Sequence, residues 1–449
     1  MKRRPAVRAV SVGVLFVAVI GGGRPERSRA QPSALYDVRF LSSLGGTNSR
    51  GNSVNDEGWV AGYSNLENNH VRHAALWRGA TPTDIGVLGS SHNPKNSNIV
   101  WPVKNTGGLL VGISQTDSPD PWGENWSCSA FFVTVTSTGY RCLGFAWQSG
   151  VMRPLPTLGG THGYAAAANN LGQIVGWAEN TVRDSTCTPP QIFQFRAVVW
   201  GPDGNRIHEL PLYANDSSSA ATAINDGGQI AGISGDCDDA IGSATAAHAV
   251  LWEGGTVIHI GNLGGKEWNT PTAINAAGDI AGFSDHEGDQ ITEAFIWTRD
   301  TGLQGLGFLY PDDSVSEAFG INDRRQVVGL SCGAAACRAF LWQNGVMTDL
   351  TGVAAVPDTV LLTHAMDINN AGVITGRAFN ATTNELQAYV ATPAAAGSQF
   401  ALARPGSIGG RAGQQRPAIT LPVSVRREIL YPFGPGRDSV RAQRVGPRP

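Results

Sequence analysis

The sequence predicts an all-β fold: a seven-bladed β-propeller of four-stranded antiparallel blades, closed by an N-terminal strand that completes the last blade. Three observations carry this. A signature of Asn, three residues and a small apolar run ending in Gly recurs as NDEGWVAG at 55–62, NTGGLLVG at 105–112, NNLGQIVG at 169–176, NDGGQIAG at 225–232, NAAGDIAG at 275–282, NDRRQVVG at 322–329 and NNAGVITG at 369–376. Its asparagines are 50, 64, 56, 50, 47 and 47 residues apart, and a period of about fifty marks an array of supersecondary units. Second, Ala or Gly, two apolar residues and Trp follow each signature, ending at Trp77, Trp147, Trp200, Trp252, Trp297 and Trp342, with AYVA at 388–391 in the last copy. Third, the chain ends are complementary: 36–41 reads as a fourth strand placed before any first strand, while the seventh repeat stops after its third strand at Val390.

Each element follows from local chemistry. In ATAINDGGQIAG, 221–232, the first strand ends at the Asn and the second begins after the Gly, because both residues tolerate positive φ and an Asx side chain bonds its own backbone. The run ending in Trp is the third strand. A Gly-bearing turn such as QNGV at 343–346 leads to the fourth, such as MTDL at 347–350. No long stretch of 3.6-residue period interrupts this pattern. A Trp recurring once per unit reads as blade core. Placing 36–41 as the outer strand of the last blade removes an exposed edge; the alternative, an open β-repeat solenoid, has no need of complementary ends.

The repeat resembles that of the extracellular HAF-repeat family, named for His-Ala-Phe before Leu-Trp. His73-Ala74, His248-Ala249, Glu293-Ala294-Phe295 and Arg338-Ala339-Phe340 carry parts of that signature, beside Leu-Gly-Gly and Ile-Asn-x-x-Gly elements, over about residues 36–391. The resemblance implies secretion and a repeat fold, and brings no activity with it.

The ends of the chain differ from the ring at 34–393. Residues 1–30 carry Lys2, Arg3, Arg4 and Arg8, an apolar run over 9–20 and Ser28-Arg29-Ala30, the layout of a signal peptide. That run is shorter than the roughly 20 residues that span a bilayer. The expected location is therefore outside the cell or in the periplasm, with no transmembrane anchor. Residues 394–449, rich in Arg, Pro and Gly, read as a disordered tail. The total charge of −3, with +6 on 1–32 and +7 on 394–449, leaves −16 on the ring. So acidic a ring argues against nucleic acid as a partner.

Six cysteines in an exported chain suggest disulfides. Cys332 and Cys337 lie at the ends of one loop, Cys128 and Cys142 flank the corresponding region of the second repeat, and Cys187 and Cys237 occupy that loop class in neighbouring repeats. No cofactor motif is present. Calcium is the one candidate ion: Asp236, Asp238 and Asp239, and Asp285, Glu287 and Asp289, supply clustered oxygen ligands, although neither run matches a defined calcium loop and solvated acidic turns are the favoured reading of both.

Strand alternation places the 1–2 and 3–4 turns on one face, and the long, unequal 2–3 and 4–1 loops on the other, where binding usually resides. The 4–1 loops are expected to bring Asn48, His92, His162, Asp216, Trp268 and Asp313 round one channel mouth, with Trp101, Trp122 and Trp126 as further stacking platforms. The expected role is a recognition scaffold for a glycan, a peptide or a cell-surface protein. One alternative is a secreted propeller hydrolase or lyase using His92, His162 or His286 with Asp216 or Asp313 as acid and base; another is a purely structural surface or matrix protein. No Gly-x-Ser-x-Gly, His-Glu-x-x-His or phosphate-binding loop occurs, and no catalytic residue is assigned.

Overall fold

A computed structural model describes residues 35–394 apart from 91–94, 102–103, 125–130, 133–138, 203, 239–243 and 335, together with Ile419, Leu421, Pro422, Val425 and Ile429. The signal peptide expected at 1–30 lies outside these residues. The described chain forms successive antiparallel four-stranded blades. The first contains Gly45–Val54, Val60–Leu66, Arg72–Trp77 and Pro82–Gly86. The second contains Ser97–Asn98, Leu110–Pro119, Tyr140–Gln148 and Val151–Pro154. Gly163–Ala168, Ile174–Arg183, Phe193–Trp200 and Ile207–Glu209 make the third, and Ser218–Ile224, Ile230–Gly235, His248–Glu253 and Thr256–His259 the fourth. The fifth is Thr270–Ile274, Ile280–Asp285, Thr292–Thr298 and Gly302–Gly305. The sixth is Val315–Ile321, Val327–Cys332, Cys337–Gln343 and Val346–Asp349.

The last blade is closed as its sequence requires. Val360–Ile368, Ile374–Asn380 and Glu385–Pro393 supply three strands, and Tyr36–Phe40 pairs antiparallel with the third, Tyr36 opposite Pro393 and Phe40 opposite Tyr389. Tyr36 is fully buried in this clasp.

A cycle of hydrogen bonds ties the repeats together. The Nδ2 of Asn55 donates to the carbonyl of Asn105, and the same bond runs from Asn105 to Asn169, on to Asn225, Asn275, Asn322 and Asn369, and from Asn369 back to Asn55, at 2.6–3.2 Å. The Oδ1 of Asn225 meanwhile accepts from the main chain of Gln229 in its own turn. One side chain thus shapes its turn and joins its neighbour. The turn needs a left-handed residue, which is Gly58 at φ 76° in the first repeat but Arg325 at φ 57° in the sixth. Arg325 is held across the blades by both carboxylate oxygens of Asp279, at 2.8 and 3.1 Å.

The Gly that ends each signature serves a different purpose. The first strand of the third blade has a register shift between Ala165 and Ala167, opposite Gly176, and a Cβ on Gly176 would overlap the Tyr164 carbonyl. Gly329 and Gly376 meet Glu317 and His364 in the same way. Close approach of two strands at a bulge excludes any side chain there.

The recurring tryptophans are blade core, and several also pin the neighbouring blade. The indole N–H of Trp77 donates to the Ser42 carbonyl, that of Trp200 to Pro156 and that of Trp252 to Pro211, at 2.9, 2.9 and 2.7 Å. Each acceptor lies just beyond the fourth strand of the preceding blade. Apolar clusters fill the spaces between blades, and another occupies the centre. Three residues of the tail belong to that central cluster: Leu421, Val425 and Ile429 are buried in it. Apart from Ala394, Ile419, Leu421, Pro422, Val425 and Ile429, the tail expected to be disordered at 394–449 lies outside the described residues.

Candidate functional site

The turn face of the ring carries a concave mouth, a cavity of about 120 Å³ to which the residues around all seven signature asparagines contribute. The residue after six of these seven asparagines lines it, the exception being Thr106. Asp56 accepts from the main chain and the Nδ2 of Asn370 at 2.8 and 3.0 Å. Asp226 accepts from Asn170 in the same way, at 2.8 and 2.9 Å. Asp323 accepts from the Ala276 main chain at 2.9 Å and from Nδ2 of Asn370 at 2.8 Å. Ile224, Ile274 and Ile321 give the mouth an apolar wall. The cation lining it is Lys104, whose ammonium is bound to the buried Asp367 at 2.5 Å and the Ile368 carbonyl at 2.6 Å. Burial raises the Asp367 carboxyl above its usual range despite Lys104 and the main-chain donors Val54 and Ile368. The rim is therefore acidic and amide-rich, with each carboxylate aimed by its neighbour before any ligand arrives.

Deeper in the channel the charge reverses. Arg50 and Arg377 are both fully buried beside Tyr63, and the Arg72 guanidinium lies 3.8 Å from the centre of the same ring. Burial brings the Arg50 pKa down, against the pull of Tyr63 and with the push of Arg377 and Arg72. His364, also fully buried, lies 3.4 Å from Nη2 of Arg377. Its pKa is well below the usual value, through burial first and then the Arg377 and Arg50 charges.

The residues expected at the loop-face mouth mostly serve their own loops. Asn48 is buried and accepts from the Tyr63 hydroxyl at 3.4 Å. His162 is buried, accepts from the Cys142 main chain at 3.1 Å and faces Asp120 at 3.4 Å. Burial opposes its charge, but Asp120, Glu179 and Glu124 raise its pKa overall. Asp216 pairs with His248 at 3.0 Å, and Asp313 accepts from the Ser331 hydroxyl at 2.5 Å. Trp268 is 7% exposed and Trp101 4%, so neither offers a stacking face, whereas Trp122, 49% exposed, does. His92 and Trp126 lie outside the described residues. His286 is bound to Glu293 at 2.6 Å.

No protein-family model and no curated protein matches the sequence. Among solved structures, the chain is similar to the β-propeller domain of the Trilobed protease from Pyrococcus furiosus, at 12% identity over 68% of this chain and 81% of that one, with a TM-score of 0.40. It is similar to an oligogalacturonate lyase in complex with manganese, at 11% identity over 80% and 96%, with a TM-score of 0.47. Against the Pyrococcus horikoshii acylaminoacyl peptidase it spans about half the length, 54%, at 10% identity and a TM-score of 0.42. None of these likenesses bears on chemistry.

The cysteines and acidic runs resolve in part. Cys187–Cys237 and Cys332–Cys337 are disulfides; Cys142 is disulfide-bonded, and Cys128 lies outside the described residues. Among the described residues no three His, Cys, Asp or Glu side chains converge to hold a metal ion. Of the calcium candidates, Asp238 accepts from Thr188, Asp285 from Thr292 and Asp289 from the Lys266 main chain. Asp236 and Glu287 are exposed, and Asp239 lies outside the described residues.

The first letter of the repeat signature also acquires a role. His73, Arg196 and Arg338 lie in the third strands of their blades and pair with Asp84, Glu209 and Asp349, on or ending the fourth, at 2.9, 3.5 and 3.4 Å. Sequence reasoning missed the turn-face mouth, although the residue after the signature Asn is itself Asp or Asn in five of seven copies: Asp56, Asn170, Asp226, Asp323 and Asn370.

Proposed function

We propose that this protein is a secreted recognition module that takes a small polar group, the terminal residue of a glycan, in the mouth on its turn face. The observation that carries the reading is the preset rim of Asp56, Asp226, Asp323, Asn170 and Asn370 above an apolar wall. Carboxylates accept sugar hydroxyls and amides both donate and accept, while the isoleucines supply an apolar surface for ring carbons. At about 120 Å³, well below the roughly 300–1,000 Å³ of pockets that enclose a whole small ligand, the mouth suits a chain end. Two disulfides fit an oxidising compartment, and no helix among the described residues is long and apolar enough to cross a membrane.

A glycan array followed by titration calorimetry on the full chain tests this. Asp226→Asn and Asp323→Asn are expected to weaken a hit at least tenfold with melting unchanged, and Trp122→Ala on the loop face to leave it intact. Binding retained in both mouth variants and lost in Trp122→Ala would move the site to the loops.

One observation favours the hydrolase or lyase alternative: Asp56 and Asp323 both accept from Nδ2 of Asn370, so two carboxylates share one opening. Release of product from an array hit, abolished by Asp323→Asn, is its signature; binding without turnover excludes it.

A further inference from the structure

The fourth blade breaks a pairing that its neighbours keep. In the third and sixth blades a cation of the third strand meets an acid of the fourth, Arg196 with Glu209 and Arg338 with Asp349. Those acids stand opposite Val198 and Phe340, and the residue at the same register of the fourth blade, opposite Val250, is His259. His248, the counterpart of Arg196 and Arg338, therefore meets an imidazole where they meet a carboxylate, with the ring centres 5.3 Å apart and the planes at 89°. Its Nδ1 turns to Asp216 in the preceding 4–1 loop, at 3.0 Å from Oδ2. A carboxylate only accepts, so Nδ1 carries the hydrogen and Nε2 the lone pair. The Nε2 of His259 is buried and has no hydrogen-bond partner among the described residues. Tyr213 closes one side, its ring 4.9 Å from that of His248 and 5.1 Å from that of His259. Between Tyr213 and Asp216, Ala214 takes φ 48°, a left-handed conformation that costs a residue with a Cβ.

We propose that His248 and His259 are the two protein ligands of a divalent transition-metal ion of the zinc and copper class, with water completing its shell. Two imidazoles on one tetrahedral ion, each nitrogen at about 2.0–2.1 Å, place their ring centres about 5 Å apart, which matches the separation of this pair. The bond from His248 Nδ1 to Asp216 is the outer-shell carboxylate that fixes the ring of a ligating histidine and raises its basicity. Asp216 thus stands behind His248 and is no ligand itself, in keeping with the lack of three converging acids and histidines among the described residues. Imidazole nitrogen suits zinc and copper, whereas calcium and magnesium take oxygen. Burial first, and then the His248 charge, hold the His259 pKa below its usual value against the pull of Asp216, which favours the neutral ring that a metal binds. With 33% of its side chain exposed, His248 gives the ion a way in. The site uses no residue of the turn-face mouth and stands or falls separately from it.

The test uses the untagged full chain, stripped with a chelator and titrated with Zn²⁺ by calorimetry at neutral pH. One equivalent is expected to bind at micromolar concentration, and an excess of Ca²⁺ to leave that binding unchanged. His248→Gln and His259→Gln are each expected to weaken it at least tenfold, Asp216→Asn about tenfold as an outer-shell loss, and His208→Gln, an exposed histidine of the third blade, not at all. No binding by the wild type, displacement by Ca²⁺, or equal binding by the wild type and both histidine variants overturns the proposal. A second measurement needs no variant and stands even if the substitutions impair folding. Cu²⁺ added to the wild type is expected to show two nitrogen ligands by electron paramagnetic resonance; one nitrogen or none overturns the site.

Discussion

The Nδ2 of Asn369 in the last blade donates to the main-chain carbonyl of Asn55 in the first, at 2.9 Å and 314 residues away in sequence. This bond closes the ring, and the same side chain accepts from the Val373 main chain at 2.9 Å. Asn369→Ala leaves a buried carbonyl and a turn N–H without these partners, at an expected cost of about 1–3 kcal/mol. Asn275→Ala removes the equivalent link inside the array, 3.2 Å to the Asn322 carbonyl, and should cost the same. Urea denaturation measures both. A near-zero loss for Asn369→Ala beside a full loss for Asn275→Ala would mean the ring is open in solution.

Trp200 is fully buried and its indole N–H reaches Pro156 in the preceding blade. Packing and hydrogen bond can be separated by two substitutions. Trp200→Ala should cost about 3–5 kcal/mol as a buried aromatic truncation, whereas Trp200→Phe keeps most of the volume and should cost about 1–3 kcal/mol for the orphaned carbonyl. Equal losses for the two would show that the inter-blade bond, not the ring volume, carries the position.

The blades and the clasp were legible because they repeat: the turn asparagines, the Trp positions and the surplus strand at 36–41 each state their role locally. The bond from each Asn to the next was not, since its acceptor is a main-chain carbonyl 47–64 residues on, which only closure brings near. The same limit applies to function. Loop length drew attention to His162 and Trp268, yet long loops bury their own side chains when partners such as Asp120 lie within them. The mouth is built instead from short turns, whose second residue is shown to be useful only when six of them face one another. The burial of Leu421, Val425 and Ile429 in the central cluster was hidden inside a segment judged by its Arg and Pro content.

His364 gives the ring a pH dependence of defined sign. Burial, then Arg377 and Arg50, hold its folded pKa well below the usual histidine value of about 6.5, so the unfolded chain takes up the proton first. Its contribution to stability is complete above about pH 6.5 and is lost as pH falls below it, at up to about 1.4 kcal/mol per pH unit for one proton. His162, whose pKa is raised, acts in the opposite direction, on the alkaline side. Between about pH 7.5 and 5.5, above the carboxylate range, wild type should therefore lose more stability than His364→Gln. Parallel losses would show that His364 is protonated in the folded state.

The Cys187–Cys237 and Cys332–Cys337 disulfides separate chain entropy from native contact. Cys187–Cys237 spans 50 residues and joins the third blade to the fourth, whereas Cys332–Cys337 spans 5 within the sixth. If each acts by restricting the unfolded chain, replacing the first pair with Ala should cost about 4 kcal/mol and the second about 2 kcal/mol. Guanidinium denaturation of the two double variants without reductant measures the difference. Both bridges adjoin the central cluster, with Cys237, Cys332 and Cys337 buried in it, so equal losses would place their effect in that packing. A larger loss for the first pair would instead identify it as the covalent strap that keeps two blades in register while the rest of the ring assembles.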